Sequence, residues 1–194
     1  LPDLVVSNVT APSSGYDNGS AAVSWTITNN GLYSAVGSWQ DQVYIDSVGG
    51  PQSTTPADTV LFHGTVQAGE NYTQNDTLTL PAIVGQYSIR VVTDSNQFVQ
   101  ELSFSNNTGA GAQPVDDQAS YHATVTTTVT TVPNGTPIPL SGVETLSDGS
   151  GPAAFLPVAV QIQVAGTTRT LTAFTNFRGR SSVTFQPLQT EAGN

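Results

Sequence analysis

The side chains that could carry catalysis are few in this sequence, and their spacing argues against an enzyme. Its two histidines, His63 and His122, stand in separate β-like runs. A Ser–His–Asp site needs a histidine beside an exposed nucleophile, and the sequence contains neither the Gly-x-Ser-x-Gly turn that presents such a serine nor the His-Glu-x-x-His zinc motif. Paired carboxylates can hydrolyse glycosides at set separations, but the four glutamates are scattered along the chain. We predict structural histidines and no catalytic activity.

Oxygen-bearing side chains offer a second kind of chemistry, the binding of calcium. Hard cations take several oxygen ligands, often from Asp, Asn and backbone carbonyl groups on loops. Three sets have a suitable composition: Asp94 with Asn96 and Glu101, Asp116 with Asp117, and Asp148 beside Ser147 and Gly149. None has the spacing of an EF-hand loop, and Asp and Asn also favour turns because they bond to their own backbone. Calcium at one of the first two sets and an ordinary role in turns both stay open, and no other cofactor is predicted.

Aromatic side chains could form a platform for sugar rings. Trp39 and Tyr44 fall on opposite faces of one predicted strand, so at most one of them points outward. Trp25 shares a face with Val23 and Ile27, which predicts a place in the core. Because a sugar platform needs two or three coplanar exposed rings, the pattern favours aromatic residues that stabilise the fold.

Glycan attachment is the last chemistry that short motifs suggest. The Asn-x-Ser/Thr sequons lie at Asn8, Asn18, Asn71, Asn75, Asn106 and Asn134. In a chain this rich in Ser and Thr, roughly half of them would arise by chance. They permit glycosylation only where the host has the machinery.

The composition limits the class of protein. Of the 194 residues, 37% are hydrophobic, which is enough for a packed core, while only 9% are charged. The net charge is −10, lysine is absent, and arginine supplies all four basic residues. Such a chain lacks the basic surface that nucleic acid requires, and no apolar run is long enough to insert in a membrane. It has no cysteine, and its sparse charge is typical of an exported prokaryotic protein at the cell surface or outside the cell.

The elements that would position these residues are strands. Turn residues recur about every 8–12 positions with β-branched runs between them, the pattern of an all-β sandwich. The first part of the chain contains seven such runs, at 4–9, 21–29, 39–46, 60–66, 72–80, 87–93 and 98–104. Five more follow at 122–132, 138–146, 157–164, 169–175 and 181–185. We predict two tandem immunoglobulin-like antiparallel β-sandwiches, residues 1–112 and 120–194, with a linker at 113–119.

A family resemblance supports this division. The motifs that carry it occur in order as Pro2-Asp3-Leu4-Val5-Val6, Val23 to Gly31, Ser38 to Ile45, Val92-Thr93-Asp94 and Glu101 to Asn107. They resemble the CARDB family, whose name stands for a cell-adhesion-related domain found in bacteria, over residues 1 to about 112. The resemblance implies a module of a large extracellular protein. From about residue 118 the chain resembles a generic bacterial Ig-like repeat, mainly at Gly135-Thr136-Pro137-Ile138.

Alternation along the runs predicts which side chains form the core of the first sandwich. These are Val5, Val23, Trp25, Ile27, Val43, Ile45, Leu61 and Val91. Tyr87 stands where a tyrosine corner is expected, with its hydroxyl folded back onto nearby backbone. Asp116 and Asp117 are expected to be exposed, because burying two adjacent unpaired carboxylates is costly.

The second sandwich is expected to lack its last strand or strands, because it has five strand runs against seven in the first. A missing strand would leave apolar positions uncovered and a sheet edge open. The gap could be filled by further polypeptide after Asn194 or by a strand from another protomer, with Leu4-Val5-Val6 as one candidate donor.

Together these features predict a non-catalytic structural or adhesive module of a bacterial surface or secreted protein. It would act as a spacer or as an assembly unit, for example in a filament. Its partners would be neighbouring Ig-like domains of the same chain or of other protomers. The alternative is an accessory module of a secreted enzyme that binds carbohydrate or protein.

Overall fold

The computed structural model describes residues 1–133, 135–164, 166–188 and 191, which form strands, turns and loops. They belong to two compact units, Leu1–Gln118 and Ala119–Asn194. Within the described residues no helix is long and apolar enough to cross a membrane.

The first unit is built from nine strands among the described residues. They are β1 (Leu4–Thr10), β2 (Ser14–Tyr16), β3 (Ser20–Asn29), β4 (Ala35–Ser47), β5 (Asp58–Val66), β6 (Asn71–Thr79), β7 (Gly85–Val92), β8 (Thr108–Ala110) and β9 (Val115–Gln118). One sheet has the order β1-β3-β6 and the other the order β2-β9-β7-β4-β5, with β8 paired to β7. All pairs are antiparallel except β2 with β9, which run parallel. The unit is therefore an all-β Ig-like sandwich.

Strict alternation creates the core of this sandwich. In β3 the residues Ala21, Val23, Trp25 and Ile27 are buried, and the residues between them are more exposed, because successive side chains leave a strand on opposite faces. Val43 and Val91 from the facing sheet complete the same cluster, and Ile45 packs against it while half-buried.

Two of the predicted core positions differ from the structure. Leu61 is 64% exposed, because Val60 and Phe62 are the residues of β5 that pack against the core cluster. Val5 is half-buried, because Leu4 and Val6 take the inward positions of β1. A shift of one residue in a strand moves every side chain to the other face.

The predicted end of the first sandwich was wrong in its details. Residues 98–104 form a loop instead of a strand, and the last strands are β8 and β9. The expected linker at 113–119 contains β9, which pairs with both β2 and β7. The apolar pattern of 98–104 is misleading because Asp94 and Gln97 adopt left-handed backbone conformations that turn the chain just before it.

The second unit has five strands within the described residues. They are β10 (Tyr121–Thr126), β11 (Ile138–Leu146), β12 (Pro157–Val164), β13 (Thr167–Phe174) and β14 (Arg180–Phe185). One sheet has the order β10-β11-β14, and β12 pairs with β13 in the other. Buried apolar side chains are fewer than in the first unit, namely Ala153, Val158, Val160, Ala173 and Phe185.

The N-terminal segment Leu4-Val5-Val6 is not a free donor strand. It is paired with β3 in its own unit, and Leu4 is fully buried there. Releasing it would expose the core that it covers.

Replacing Trp25 by alanine is expected to lower the free energy of unfolding of the first unit by about 3–5 kcal/mol, because a fully buried aromatic site is emptied. Urea denaturation followed by circular dichroism measures the change. Tyr33→Ala is the matched control, since Tyr33 is 66% exposed, and it should shift stability by no more than about 0.5 kcal/mol. Equal effects from the two variants would show that Trp25 does not hold the core.

Candidate functional site

The loop from Thr93 to Asn107, which follows β7, gathers most of the candidate site residues. It begins with a turn in which Asp94 is buried and has a φ of 43°. The Asp94 carboxylate accepts hydrogen bonds from the backbone N–H groups of Phe98 (2.8 Å) and Val99 (3.0 Å). Asp94 thus satisfies the backbone of a tight turn, as short acidic side chains often do.

Glu101 connects the same loop to the start of β1. One of its carboxylate oxygens accepts the backbone N–H of Leu4, and the other accepts the side-chain amide of Asn107 at 2.8 Å. The residue is buried. Glu101 therefore ties this loop to the start of β1, which lies far away in the sequence.

Burial raises the proton affinity of the acidic side chains in this region. Burial raises the pKa of Glu101 to about 7, and the carboxylates of Asp94 and Asp3 act in the same direction, against the hydrogen bonds from Leu4 and Asn107. Burial also raises the pKa of Asp94, and its hydrogen bonds only partly offset this. The neighbouring Glu101 side chain acts in the opposite direction and lowers the pKa of Asp94.

The oxygens of Asp94 and Glu101 that were predicted to bind calcium accept hydrogen bonds from the protein, and calcium binding at this set stays a prediction. Asn96 is exposed and accepts the backbone N–H of Gln40 at 3.3 Å. Across the described parts of the chain, no three His, Cys, Asp or Glu side chains converge on a position that could hold a metal ion. The oxygens of Asp94 and Glu101 are instead used by N–H donors of the protein, which supports the alternative role in turns.

The two residues of the second predicted pair, Asp116 and Asp117, lie on opposite faces of β9. Asp116 is exposed and accepts a hydrogen bond from Gln118 at 2.9 Å. Asp117 is buried, contrary to expectation, because alternation along β9 turns it to the same side as the buried Val115. Neither of its carboxylate oxygens has a hydrogen-bond partner within the described residues. Burial and the nearby charges of Asp17 and Asp116 raise its pKa.

A buried carboxylate that sequence analysis did not single out lies in the centre of the sandwich. Asp41 is fully buried on β4, between Trp39 and Val43 on the inward face. Its oxygens accept hydrogen bonds from the Trp25 indole (2.9 Å), the Thr93 hydroxyl (2.7 Å) and the Tyr72 hydroxyl (3.0 Å). Burial raises the pKa of Asp41 although these donors oppose the shift. In a strand, residue 41 shares a face with Trp39 and Val43, so the burial of these two apolar neighbours could have indicated that Asp41 also faces inward.

The outer face of the same sheet carries an ion pair. Arg90 Nε lies 2.6 Å from Asp46 Oδ2, and the guanidinium lies 4.0 Å above the ring of Tyr44. Burial alone would raise the pKa of Asp46, but hydrogen bonds from Arg90 and from the Ser53 backbone hold it below its ordinary value. An open cleft of about 390 Å³ borders the pair. These contacts fasten the loop after β4 to the sheet.

The histidines and tryptophans do not assemble a catalytic or sugar-binding surface. His63 is exposed, with its ring Nδ1 2.5 Å from the Ser38 hydroxyl, while His122 lies exposed in the other unit. Trp25 and Trp39 are both fully buried. Tyr87 donates its hydroxyl to the carbonyl of Ile83 at 2.6 Å, which is the contact of a tyrosine corner.

A comparison with protein-family models assigns the first unit. The model named CARDB matches residues 1–110, more than half of the chain. The chain belongs to the CARDB family. A comparison with curated protein sequences found no match.

Solved structures similar to the CARDB domain are distant in sequence. The CARDB domain of a Pyrococcus furiosus protein, in complex with di-metal ions, is 22% identical with a TM-score of 0.48, covering 61% of this chain and 94% of that one. A domain from Methanosarcina acetivorans, of a protein whose name describes it as a cell surface protein, is 23% identical with a TM-score of 0.48, covering 60% and 92%. A Listeria innocua β-glucosidase is 18% identical with a TM-score of 0.38, covering 61% of this chain and 16% of that one.

The sequons of the CARDB domain lie mostly on its surface. Asn8, Asn18, Asn71 and Asn75 are exposed. Asn106 is half-buried and donates its side-chain amide to Asp3 at 3.0 Å, so a glycan there would break that contact. Asn134 lies outside the described residues.

Apolar side chains lie at the end of the CARDB domain where β1 begins. The Leu32 N–H donates to the carbonyl of Leu1 at 3.3 Å, and the Leu102 N–H donates to the carbonyl of Pro2 at 2.9 Å. Leu32 is 83% exposed, and Leu1, Tyr33 and Leu102 are also exposed. We call Leu1, Leu32, Tyr33 and Leu102 the end patch. Monomeric proteins seldom expose several large apolar side chains together without a binding role.

The raised pKa values predict that the CARDB domain becomes less stable as the pH rises from 5 to 8. Glu101, with a pKa of about 7 in the folded protein against 4.5 ordinarily, holds a proton in this window that the unfolded chain has released. The free energy of unfolding should fall by about 2 kcal/mol. Urea denaturation followed by tryptophan fluorescence reports this domain alone, because Trp25 and Trp39 are the only tryptophans.

Glu101→Gln should remove most of this pH dependence, whatever it does to stability at a single pH, because the titrating group is lost. Glu70→Gln is the control, since Glu70 is exposed, and it should keep the wild-type slope. Stability that is level or rises from pH 5 to 8 in the wild type would contradict the account of Glu101.

Proposed function

We propose that this chain is a non-catalytic adhesive or structural module of a bacterial cell-surface or secreted multidomain protein. The end patch is the observation that carries the proposal. It places large apolar side chains on loops at one end of a rigid sandwich, which suits a contact with another protein surface. Membership of the CARDB family and the low, acidic charge of the chain also support an extracellular setting.

The structure of the end patch explains how a sandwich can hold an apolar surface in place. Leu32 follows β3, Leu102 lies in the loop after β7, and both are bonded to the backbone at the start of β1. Glu101, next to Leu102, is fixed by Leu4 and Asn107. Because Pro2 and Glu101 are buried, the backbone at Leu102 needs little additional ordering when it binds a partner, which lowers the entropic cost of association.

A carbohydrate-binding role has weaker support. Trp39 stacks against Phe62, with ring centroids 4.4 Å apart, and Phe62 stacks against Tyr72 at 4.0 Å. Trp39 is fully buried, and Phe62 and Tyr72 are half-buried against the core, so these rings do not form an exposed sugar platform. We therefore favour protein contacts in assembly or adhesion, with the module as a spacer or a unit of a larger structure.

Adhesion is expected between microspheres coated with the 194-residue chain, because exposed apolar patches associate. The double variant Leu32→Ser/Leu102→Ser should lower the fraction of clustered microspheres at least about fivefold, since it removes two of the four apolar side chains of the end patch. The measurement is particle clustering by flow cytometry at equal coating density.

Leu61→Ser is the matched control, because Leu61 is 64% exposed but lies on β5. It should leave clustering unchanged. Equal clustering by the double variant and the wild type, or none by the wild type, would count against the end patch as the adhesive surface.

A further inference from the structure

The outer face of the sheet β1-β3-β6 in the CARDB domain is polar without being charged. The three strands, all of whose residues the structure describes, contain one charged residue, Asp76, which is half-buried on the inward side with Leu78. The outward positions of β6 are exposed and hold only asparagine and threonine, namely Asn71, Thr73, Asn75, Thr77 and Thr79. Serine, threonine and alanine occupy the paired positions of β3. The face therefore presents amide and hydroxyl groups to solvent.

On this sheet, β6 forms an open edge. It is paired with β3 without a bulge from Asn71 to Thr79, and no strand among the described residues pairs with its other side. Natural proteins protect such edges with lysines, prolines, bulges or inward-pointing charges. Of these, β6 has only the inward-pointing Asp76. A single half-buried acid guards one position of a long strand, so the other backbone groups of this edge require a different protection.

Two consecutive sequons, Asn71-Tyr72-Thr73 and Asn75-Asp76-Thr77, occupy this edge. Both asparagines are exposed, point to the outer face and lie about 13 Å apart along the strand. Within the described residues, neither side chain takes part in a hydrogen bond. Strands contain few asparagines in general, and the described strands of the larger sheet of this domain contain none. The requirements of a strand do not explain the two asparagines, whereas glycan attachment does.

The sequon at Asn106 lacks these features. Asn106 is half-buried, and its amide donates to the Asp3 carboxylate at 3.0 Å, so the nitrogen that would accept a sugar already holds the loop to the residue before β1. Its side-chain oxygen is also buried. Asn106 is therefore an internal negative control, with the same sequence motif in a position that has no room for a glycan.

We propose that Asn71 and Asn75 carry N-linked glycans that cover the open edge of β6. In the transfer, Nδ2 of each asparagine forms a bond to C1 of the first sugar of a lipid-linked oligosaccharide. The bond between C1 and the lipid phosphate breaks, and the phosphate leaves with the electron pair and takes up one amide proton. The bulky glycans prevent a second strand from approaching β6 and leave its backbone groups to water. The inference is independent of the end patch, which contains neither asparagine.

The test is mass spectrometry of the chain purified from the cells that produce it naturally. Chymotrypsin cleaves after aromatic residues and places Asn71, Asn75 and Asn106 on separate peptides, because Tyr72 lies between the first two. The peptides with Asn71 and Asn75 should each be heavier than their sequence by the mass of a glycan, whereas the peptide with Asn106 should have its sequence mass. Absence of a glycan from Asn71 or Asn75 would overturn the proposal. A glycan on Asn106 as well would count against it, by showing that a place on the β6 edge does not govern attachment.

Variants produced in the same cells connect the glycans to the edge. Thr73→Val/Thr77→Val removes both sequons and should lose both glycans, whereas Thr79→Val, the same change at an exposed position of β6 outside any sequon, should keep them. Without glycans the edge is free to pair, so the double variant should sediment as dimers or larger species with new amide-exchange protection in β6. Thr73→Ser/Thr77→Ser preserves the sequons and should stay glycosylated and monomeric. A double valine variant that lacks glycans and remains monomeric would overturn the protective role of the glycans.

Discussion

The buried carboxylate of Asp41 is the constraint around which the CARDB domain is organised. It lies on β4, yet its donors come from the facing sheet, Trp25 on β3 and Tyr72 on β6, and from Thr93 just after β7. A carboxylate buried without such donors would be strongly destabilising. Both sheets must therefore keep their separation and register for the site to be satisfied. Apolar packing alone tolerates small shifts between sheets, whereas three directed hydrogen bonds do not.

The aromatic part of the core follows from the same carboxylate. The Tyr72 hydroxyl donates to Asp41 and accepts the Trp39 indole N–H at 2.8 Å. The orientation of Tyr72 then fixes the ring of Phe62, which stacks on it. At the other end, Thr93 leads directly into the Asp94 turn, so the polar network continues from the core to the loop that holds Glu101. This loop carries Leu102 of the end patch, and the proposed contact surface is thereby linked to the core through consecutive residues.

Alternation in the sequence was sufficient to predict most of the strands and the burial of Trp25, because a period of two is a direct consequence of the pleat. It failed where other forces decide the conformation. Residues 98–104 read as a strand, but the carboxylate of Asp94 captures two of their backbone N–H groups and forms a turn. Leu61 and Phe62 are both apolar, and only the pairing of β5 with β4 decides which faces inward. For Asp117, a local rule that acidic pairs are exposed was overridden by the pairing of β9.

The candidate site was predictable only in part, for a related reason. Asp94 and Glu101 were identified because oxygen-rich loops suggest cations, but their actual partners are backbone and amide N–H groups from Leu4, Phe98, Val99 and Asn107. No local pattern reveals that the Leu4 N–H, nearly a hundred positions away, lacks a strand partner and requires an acceptor. Metal ligation and backbone capping draw on the same side chains, so composition cannot separate them. Only the three-dimensional placement of donors does so.

The two units show that the number of hydrogen-bond donors to a buried carboxylate depends on the strands around it. In the first unit, β7 lies beside β4, and the residue that follows β7 supplies one of the donors to Asp41. In the second unit, Glu144 receives one donor from β14, and the position that corresponds to β7 has no strand within the described residues. Within the part of the chain that the structure describes, the same connectivity thus surrounds a fully hydrogen-bonded carboxylate in one unit and a carboxylate with one unpartnered oxygen in the other. The cost of a buried carboxylate therefore depends on how many of its oxygens the surrounding strands supply with donors.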